Sequence, residues 1–424
     1  MKTQLENQNP NLFLYNPKFI VDSIFNKMYV AIDKPMTATE FYQYICTIQP
    51  TIQDGHNYIL PSLPLQTFHK ENSLYFPINF TVYDQKFYVT QNFSNDASIQ
   101  PGDEIISING VKSIDLFNYL VSHQVRDGNN LHYPEWISQN YFRSYYGFLF
   151  GFKSYYLLEI KNSLNVVANK NIAALPLNSI KKRRSESLPL RYDRIDFEKG
   201  ISWQYDENQN YMLLSLRTWS NNLLKSEYKQ KFRKEIDVFI KQLELSKTKN
   251  LIIDLRGNQG GDGQNGIYLL KHLLNHSFNY FYSVKTFNKN HKLINAAKSL
   301  TKTQKPSGYI YQGNIVVLIN GGSFSNSGIF ASLIKIYNRG KLIGSETGGN
   351  DVILSGGEGF FSLPNTKLNV FKATHQMQVT NKIQNTGAGV KPDIEIKPSL
   401  HNILNNEDLV LKKTIEFINE NKSR

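Results

Sequence analysis

The chain has 424 residues, 40% hydrophobic, 13% aromatic and 20% charged, with a formal net charge of +13. That length supports two or three domains with their own cores, and 25 Tyr with 26 Phe exclude a largely disordered chain. The single Cys46 excludes an internal disulfide and a cysteine metal cage, and no run approaches the roughly 18 apolar residues of a membrane span.

Residues 1–70 are expected to be a helical segment. "FIVDSIFNKMYVAI" has apolar residues at helical spacing, and "TATEFYQYICTI" opens with a capping box from Thr37 to Glu40. Cys46, following "FYQYI" at helical spacing, reads as a packed core thiol. The opening "MKTQLENQNPNL" shows no apolar signal region. From 71 to 174 the pattern turns strand-like. "FPINFTVYDQKFYVTQNF" alternates around an Asp84-Gln85 hairpin turn, and "DEIISINGVKSIDLFNYL" predicts a strand, an Asn109-Gly110 turn and a helix. "YYLLEIKNSLNVVA" predicts one more strand pair. Residues 175–200 are polar and basic and read as a linker. Its "KKRRS" run suits a solvated segment better than a nucleic-acid surface, the remaining charge being spread along the chain.

Residues 201–424 alternate strands and helices, the pattern of a layered α/β core. "YMLLSLRTW", "NLIIDLRGN", "NIVVLIN" and "GKLIG" read as strands. "SEYKQKFRKEIDVFIKQLEL" reads as a helix with Phe232, Ile236, Phe239, Ile240 and Leu243 on one face, and a last helix covers "EDLVLKKTIEFINE".

Two strand-to-helix turns in this region carry chemistry. "LIIDLRGNQGGDGQNG" places Gly257, Asn258, Gln259, Gly260 and Gly261 before a helix. Free N–H groups there suit an anion, either a phosphate or the oxyanion of acyl transfer. The phosphate-loop patterns GxxxxGK[ST] and GxGxxG are absent. "NGGSFSNSG" sets Ser323, Ser325 and Ser327 on alternate positions after "NIVVLI". A serine here suits a nucleophile, but serine also caps helices, and Ser327 fits best as the N-cap of "GIFASLIKIY". Spacing leaves both Ser323 and Ser325 open. Of the nine histidines, His56 in the turn "DGHN" has the most distinctive context for a base.

"NLIIDLRGNQGG", "NIVVLINGGSFSNSGIFASLIKIYNRGKLIGSETGG" and "GAGVKPDIEI" resemble, in order and spacing, the C-terminal processing peptidase and tricorn-like serine peptidase family. "QPGDEIISINGVKS" resembles that family's PDZ segment. The likeness spans about 38–397 and implies a mixed α/β fold: a crotonase-like core at 201–424, a PDZ-like domain at 71–174 and the helical segment 1–70.

The resemblance puts the nucleophile, the first serine of the family's "SASE", on Ser325. It places the oxyanion hole at the N–H groups of Asn326 and of Gly260 or Gly261. Processing peptidases carry a lysine base 25 residues beyond the nucleophile, where this chain has Asn350. The tricorn-like branch takes a histidine from before the PDZ-like domain, and His56 occupies that place. The branch's acidic residue falls close to Thr386, which cannot serve, so Glu346 is the preferred orienting acid and Asp54 the alternative. The implied function is a serine peptidase acting on peptides or unfolded protein segments, with no metal or cofactor. The alternative is an inactive binding protein for peptides or hydrophobic ligands on the same fold. Family members are often exported to the bacterial envelope.

Overall fold

The computed structural model describes residues 1–186, 199–381, 385 and 387–420. The C-terminal region is built on a six-stranded sheet. Its strands run in the order Ile201–Asp206, Tyr211–Leu216, Asn250–Asp254, Asn314–Ile319, Lys341–Gly344 and Ile394–Glu395. The first pair is antiparallel and every later pair parallel. Asn250–Asp254 is buried along its whole length, and only Asn314 of the next strand is exposed. Unbroken apolar runs of this kind belong to strands covered on both faces. One cover is the helix Phe232–Ser246, which buries the five apolar residues whose spacing predicted it. On the other face Val410 and Ile418 of the helix Leu409–Glu420 pack with Ile252, Val316 and Leu318.

The segment 71–174 holds an antiparallel sheet in chain order, Ile78–Tyr83, Lys86–Asn92, Glu104–Ile108, Tyr155–Lys161 and Val167–Ala173. Asp84 and Gln85 both take positive φ, at 48° and 61°, as a tight two-residue hairpin requires. Asn109 and Gly110 do the same, at 52° and 79°. The helix Ser113–Ser122 lays Leu116, Phe117 and Leu120 against this sheet.

The N-terminal segment has no core of its own. Its helices Lys2–Gln8, Lys18–Ala31 and Ala38–Ile45, the last with the Thr37–Glu40 capping box formed, contribute Leu5, Met28, Tyr42 and Ile45 to a shared cluster. That cluster also contains Phe76, Phe87 and Tyr156 of the middle segment, and Leu368 and Val370 of the C-terminal region. The short strand Ile59–Leu60 pairs antiparallel with Val370 and Asn369, fastening the arm to the long strand Asn369–Gln378.

The expected linker is partly regular. Leu175–Pro176 pairs with Leu74–Tyr75, and Leu177–Glu186 is a helix that includes the whole basic run. Ile180 packs with Tyr75 and Phe93, and the Arg183 guanidinium donates to the Phe93 carbonyl and the Asn95 side chain. A polar, charged composition concealed a single apolar anchor, Ile180. The rest of that expectation, 187–198, lies outside the described residues.

Candidate active site

The parallel strands Asn250–Asp254 and Asn314–Ile319 deliver the glycine loop and the serine turn to one end of the sheet, where α/β folds place their sites. The three serines have separate fates. Ser323 is buried, donating to the Leu255 carbonyl at 2.8 Å and accepting from the Asn320 N–H at 3.1 Å. Ser327 is also buried and accepts from the Trp219 indole N–H at 2.9 Å. Ser325 Oγ lies 3.0 Å from His56 Nε2 across 269 residues of sequence.

Ser327 was the expected helix cap, yet the helix is Asn326–Ile336 and Ser325 is its N-cap residue, with no side-chain cap bond. The chain turns two residues earlier because Ser325 takes φ 54° and ψ −121°. A non-glycine residue there costs of order 1–3 kcal/mol, and such strain gathers where a side chain must be aimed. This turn joins a buried strand to a helix with Ser325 at its strained point.

Gly260 holds this turn in place. A Cβ on it would meet the Ser325 Cβ at 2.7 Å, the Phe324 carbonyl at 2.9 Å and the Asn326 nitrogen at 3.0 Å, so only glycine fits. The Phe324 N–H donates to the Asn258 carbonyl at 3.1 Å, joining the two loops. The Gly260 N–H is already given to Asn258 Oδ1 at 2.9 Å. The N–H groups of Gly261 and Asn326 meet no acceptor among the described residues. Of the two glycines left open by the sequence, Gly261 is therefore the one with a spare donor.

His56 is 4% exposed, and its ring stacks on Phe324 with centroids 5.0 Å apart. Phe324 in turn stacks on Tyr133 at 4.0 Å. Gly55 permits this approach, since a Cβ there would meet Phe324 Cζ at 2.5 Å. The turn is pinned by polar bonds: the His56 N–H donates to Asp54 Oδ1 at 3.0 Å and the Gly55 N–H to Asp127 Oδ1 at 2.8 Å. Burial pushes the imidazole down to about 4, leaving it neutral at pH 7. Its Nδ1 meets no hydrogen-bond partner among the described residues.

The acidic candidates divide. Glu346 accepts from the Gly389 N–H at 2.8 Å, and its other oxygen lies 3.8 Å from His132 Nε2. It holds the 387–390 turn, 43 residues along the chain, rather than contacting His56. Asp54 is fully buried, and Asp127, which the sequence did not single out, joins it. One oxygen of each carboxylate and a His56 ring nitrogen lie within 4.8 Å of one another. These oxygens accept from the N–H groups of Gly55, His56 and Asn350 and from the Ser355 hydroxyl. Asn350 is buried, giving its backbone N–H to Asp127 Oδ2 at 3.0 Å and its side-chain amide to the Tyr15 hydroxyl at 2.6 Å. Thr386 lies outside the described residues.

Ser325 and His56 open onto a cavity of about 1430 Å³, walled by Tyr133, Trp136, Tyr141 and Tyr145 from the middle segment and by Arg217 and Tyr228 from the core. Residues 213–396 match peptidase family S41. That stretch of similarity to a serine-type peptidase family holds both the glycine loop and the serine turn. Comparison with curated protein sequences gives no match. Among solved structures, mature CPAF complexed with lactacystin is similar with a TM-score of 0.70 at 14% identity, over 98% of this chain and 95% of that one. A putative peptidase from Parabacteroides merdae is similar with a TM-score of 0.52 at 13% identity, over 98% of this chain and 93% of that one. At such identities the likeness is one of fold, and it extends beyond 213–396 to the N-terminal arm. No helix among the described residues is long and apolar enough to cross a membrane.

Proposed function

We propose that this S41 peptidase cleaves peptides or unfolded protein segments with Ser325 as nucleophile and His56 as general base. The observation that carries the reading is the 3.0 Å approach of His56 Nε2 to Ser325 Oγ, with that serine alone of the three facing a histidine. Neutral His56 takes the hydroxyl proton as Oγ bonds to the substrate carbonyl carbon. The carbonyl oxygen, now negative, is met by the free N–H groups of Gly261 and Asn326 at the start of the helix Asn326–Ile336. His56 then gives its proton to the departing amine. Water enters by the same route, with His56 as base again, and Ser325 is regenerated. A cavity of about 1430 Å³ exceeds the roughly 300–1,000 Å³ of small-molecule pockets and suits an extended chain with bulky side chains against aromatic walls. Residues 71–174 serve, in this reading, as a PDZ-like domain that closes one side of the cavity, and 201–424 as a crotonase-like core.

One observation favours the rival reading of a binding protein: the buried His56 Nδ1 has no partner among the described residues to orient it. A fluorophosphonate probe separates the two. The peptidase reading requires labelling of the wild type at Ser325 and none in Ser325→Ala. Absence of labelling and of casein or peptide turnover in folded wild type would leave the binding protein standing.

A further inference from the structure

In the proposed reaction His56 becomes an imidazolium in a buried place, and a buried cation needs an anion near it. Glu346 is committed to the Gly389 turn. The carboxylates that do stand close are Asp54, two residues before the histidine, and Asp127, from the loop after the helix Ser113–Ser122. Each is 1% exposed, and neither forms an ion pair with a lysine or arginine among the described residues.

Their donors are unequal. Asp54 accepts from the His56 N–H at 3.0 Å, the Ser355 hydroxyl at 2.7 Å, the Asn9 amide at 3.4 Å and the Asn57 amide. Among the described residues Asp127 accepts from two backbone N–H groups, those of Gly55 and Asn350. Charge is therefore better held on Asp54. Burial raises both carboxyls: Asp127 is pushed up to about 7, with the Asp54 charge as the second cause, whereas the donors to Asp54 work against its burial. The other titratable group facing them is Tyr15, whose hydroxyl is pushed up by burial and by Asp127 and stays neutral.

We propose that Asp54 and Asp127 together are the positioning acid of this site. Asp54 fixes the His56 backbone and supplies the charge that stabilises its imidazolium. Asp127 clasps Gly55 to Asn350 and so locks the histidine arm to the core. The inference rests on the peptidase reading for its purpose, but its test does not need turnover.

Nitrogen-15 NMR of His56 is read in full-length Ser325→Ala, which removes only a hydroxyl. Burial pushes His56 down to about 4; the proposal requires the two carboxylates within 4.8 Å to hold its measured titration well above that. Asp54→Asn should lower it by about one to two pH units, the effect of a near opposite charge, and Asp127→Asn by less. In the active enzyme, Asp54→Asn should reduce kcat about 10- to 100-fold, short of the ~10⁴ of a directly bonded triad aspartate, with KM little changed. The acid limb of kcat/KM should move to lower pH, because removing an anion makes the imidazolium harder to form. Melting curves establish that the variants fold. Titration of His56 at about 4 with both aspartates present, or no movement in Asp54→Asn, overturns the proposal; if Asp54→Asn does not fold, the first measurement still decides. Absence of wild-type turnover and probe labelling would instead overturn the peptidase reading and leave this titration to be judged alone.

Discussion

The serine turn at 320–325 and the histidine arm at 49–60 come within 3.0 Å of each other, yet different forces hold them. The turn is an extension of regular structure. A buried parallel strand ends, two glycine-bearing loops brace each other through backbone bonds, and a helix begins. The arm has one short helix, Gln49–Ile52, and a two-residue strand. It is located by side-chain bonds to distant segments: Asp127 to Gly55, the arm's own Gln49 to the His123 carbonyl, and Asn9 and Ser355 to Asp54. A nucleophile can be carried by a local pattern; a base delivered from another segment depends on long-range polar contacts.

The largest effects should come from breaking both halves of the pair. Ser325→Ala is expected to lose ~10⁴ to 10⁶ in kcat with the fold intact, as for other serine nucleophiles. His56→Ala should be comparable, and the double variant little worse, since members of one unit are non-additive. Additive losses, measured as kcat on a fluorogenic peptide, would mean that the two regions do not act together.

Gly55→Ala tests the arm by geometry alone. The added methyl meets Phe324 Cζ at 2.5 Å and Asp127 Oδ1 at 3.1 Å, so the turn must retreat from Ser325. A shift near 1 Å costs about 10² in rate. Fluorophosphonate labelling should slow in parallel while the melting temperature changes little. Unchanged labelling would show that the arm has slack.

The serine turn should fail differently. Ser327→Ala leaves the Trp219 indole N–H buried without its acceptor, which costs about 1–3 kcal/mol of stability. Activity of the folded fraction should be retained, because Ser327 points away from His56 into the core. Urea unfolding and kcat read together separate these outcomes, and a loss of kcat at full stability would reopen the choice of serine.

The same contrast explains what could be read in advance. The strands, the five-residue face of Phe232–Ser246 and the positive-φ hairpins at Asp84-Gln85 and Asn109-Gly110 follow from local periodicity and turn chemistry. Spacing alone left Ser323 and Ser325 equivalent, because their difference lies in partners, Leu255 and His56, that are distant in sequence. Family resemblance chose between them. Asp127 gave no signal, since "VRDGNN" looks like any polar turn and its burial comes from the arm and the Asn350 turn closing over it. Ser327 looked like a cap because nothing local announced that Ser325 would take positive φ and start the helix itself.

Glu346 marks the smallest expected effect and the sharpest contrast with Asp54. Both acids precede a turn in the sequence, but Glu346 accepts from the Gly389 N–H while Asp54 accepts from the His56 N–H. In Glu346→Gln the amide oxygen can still accept from Gly389, and the lost charge faces His132, which is half exposed. The change should therefore stay within about 0.5 kcal/mol, or roughly two- to threefold in kcat/KM, like other substitutions away from buried networks. Its pH profile should overlay the wild type. A drop approaching that of His56→Ala, with the acid limb displaced, would return Glu346 to the site and take the orienting role away from the Asp54–Asp127 pair.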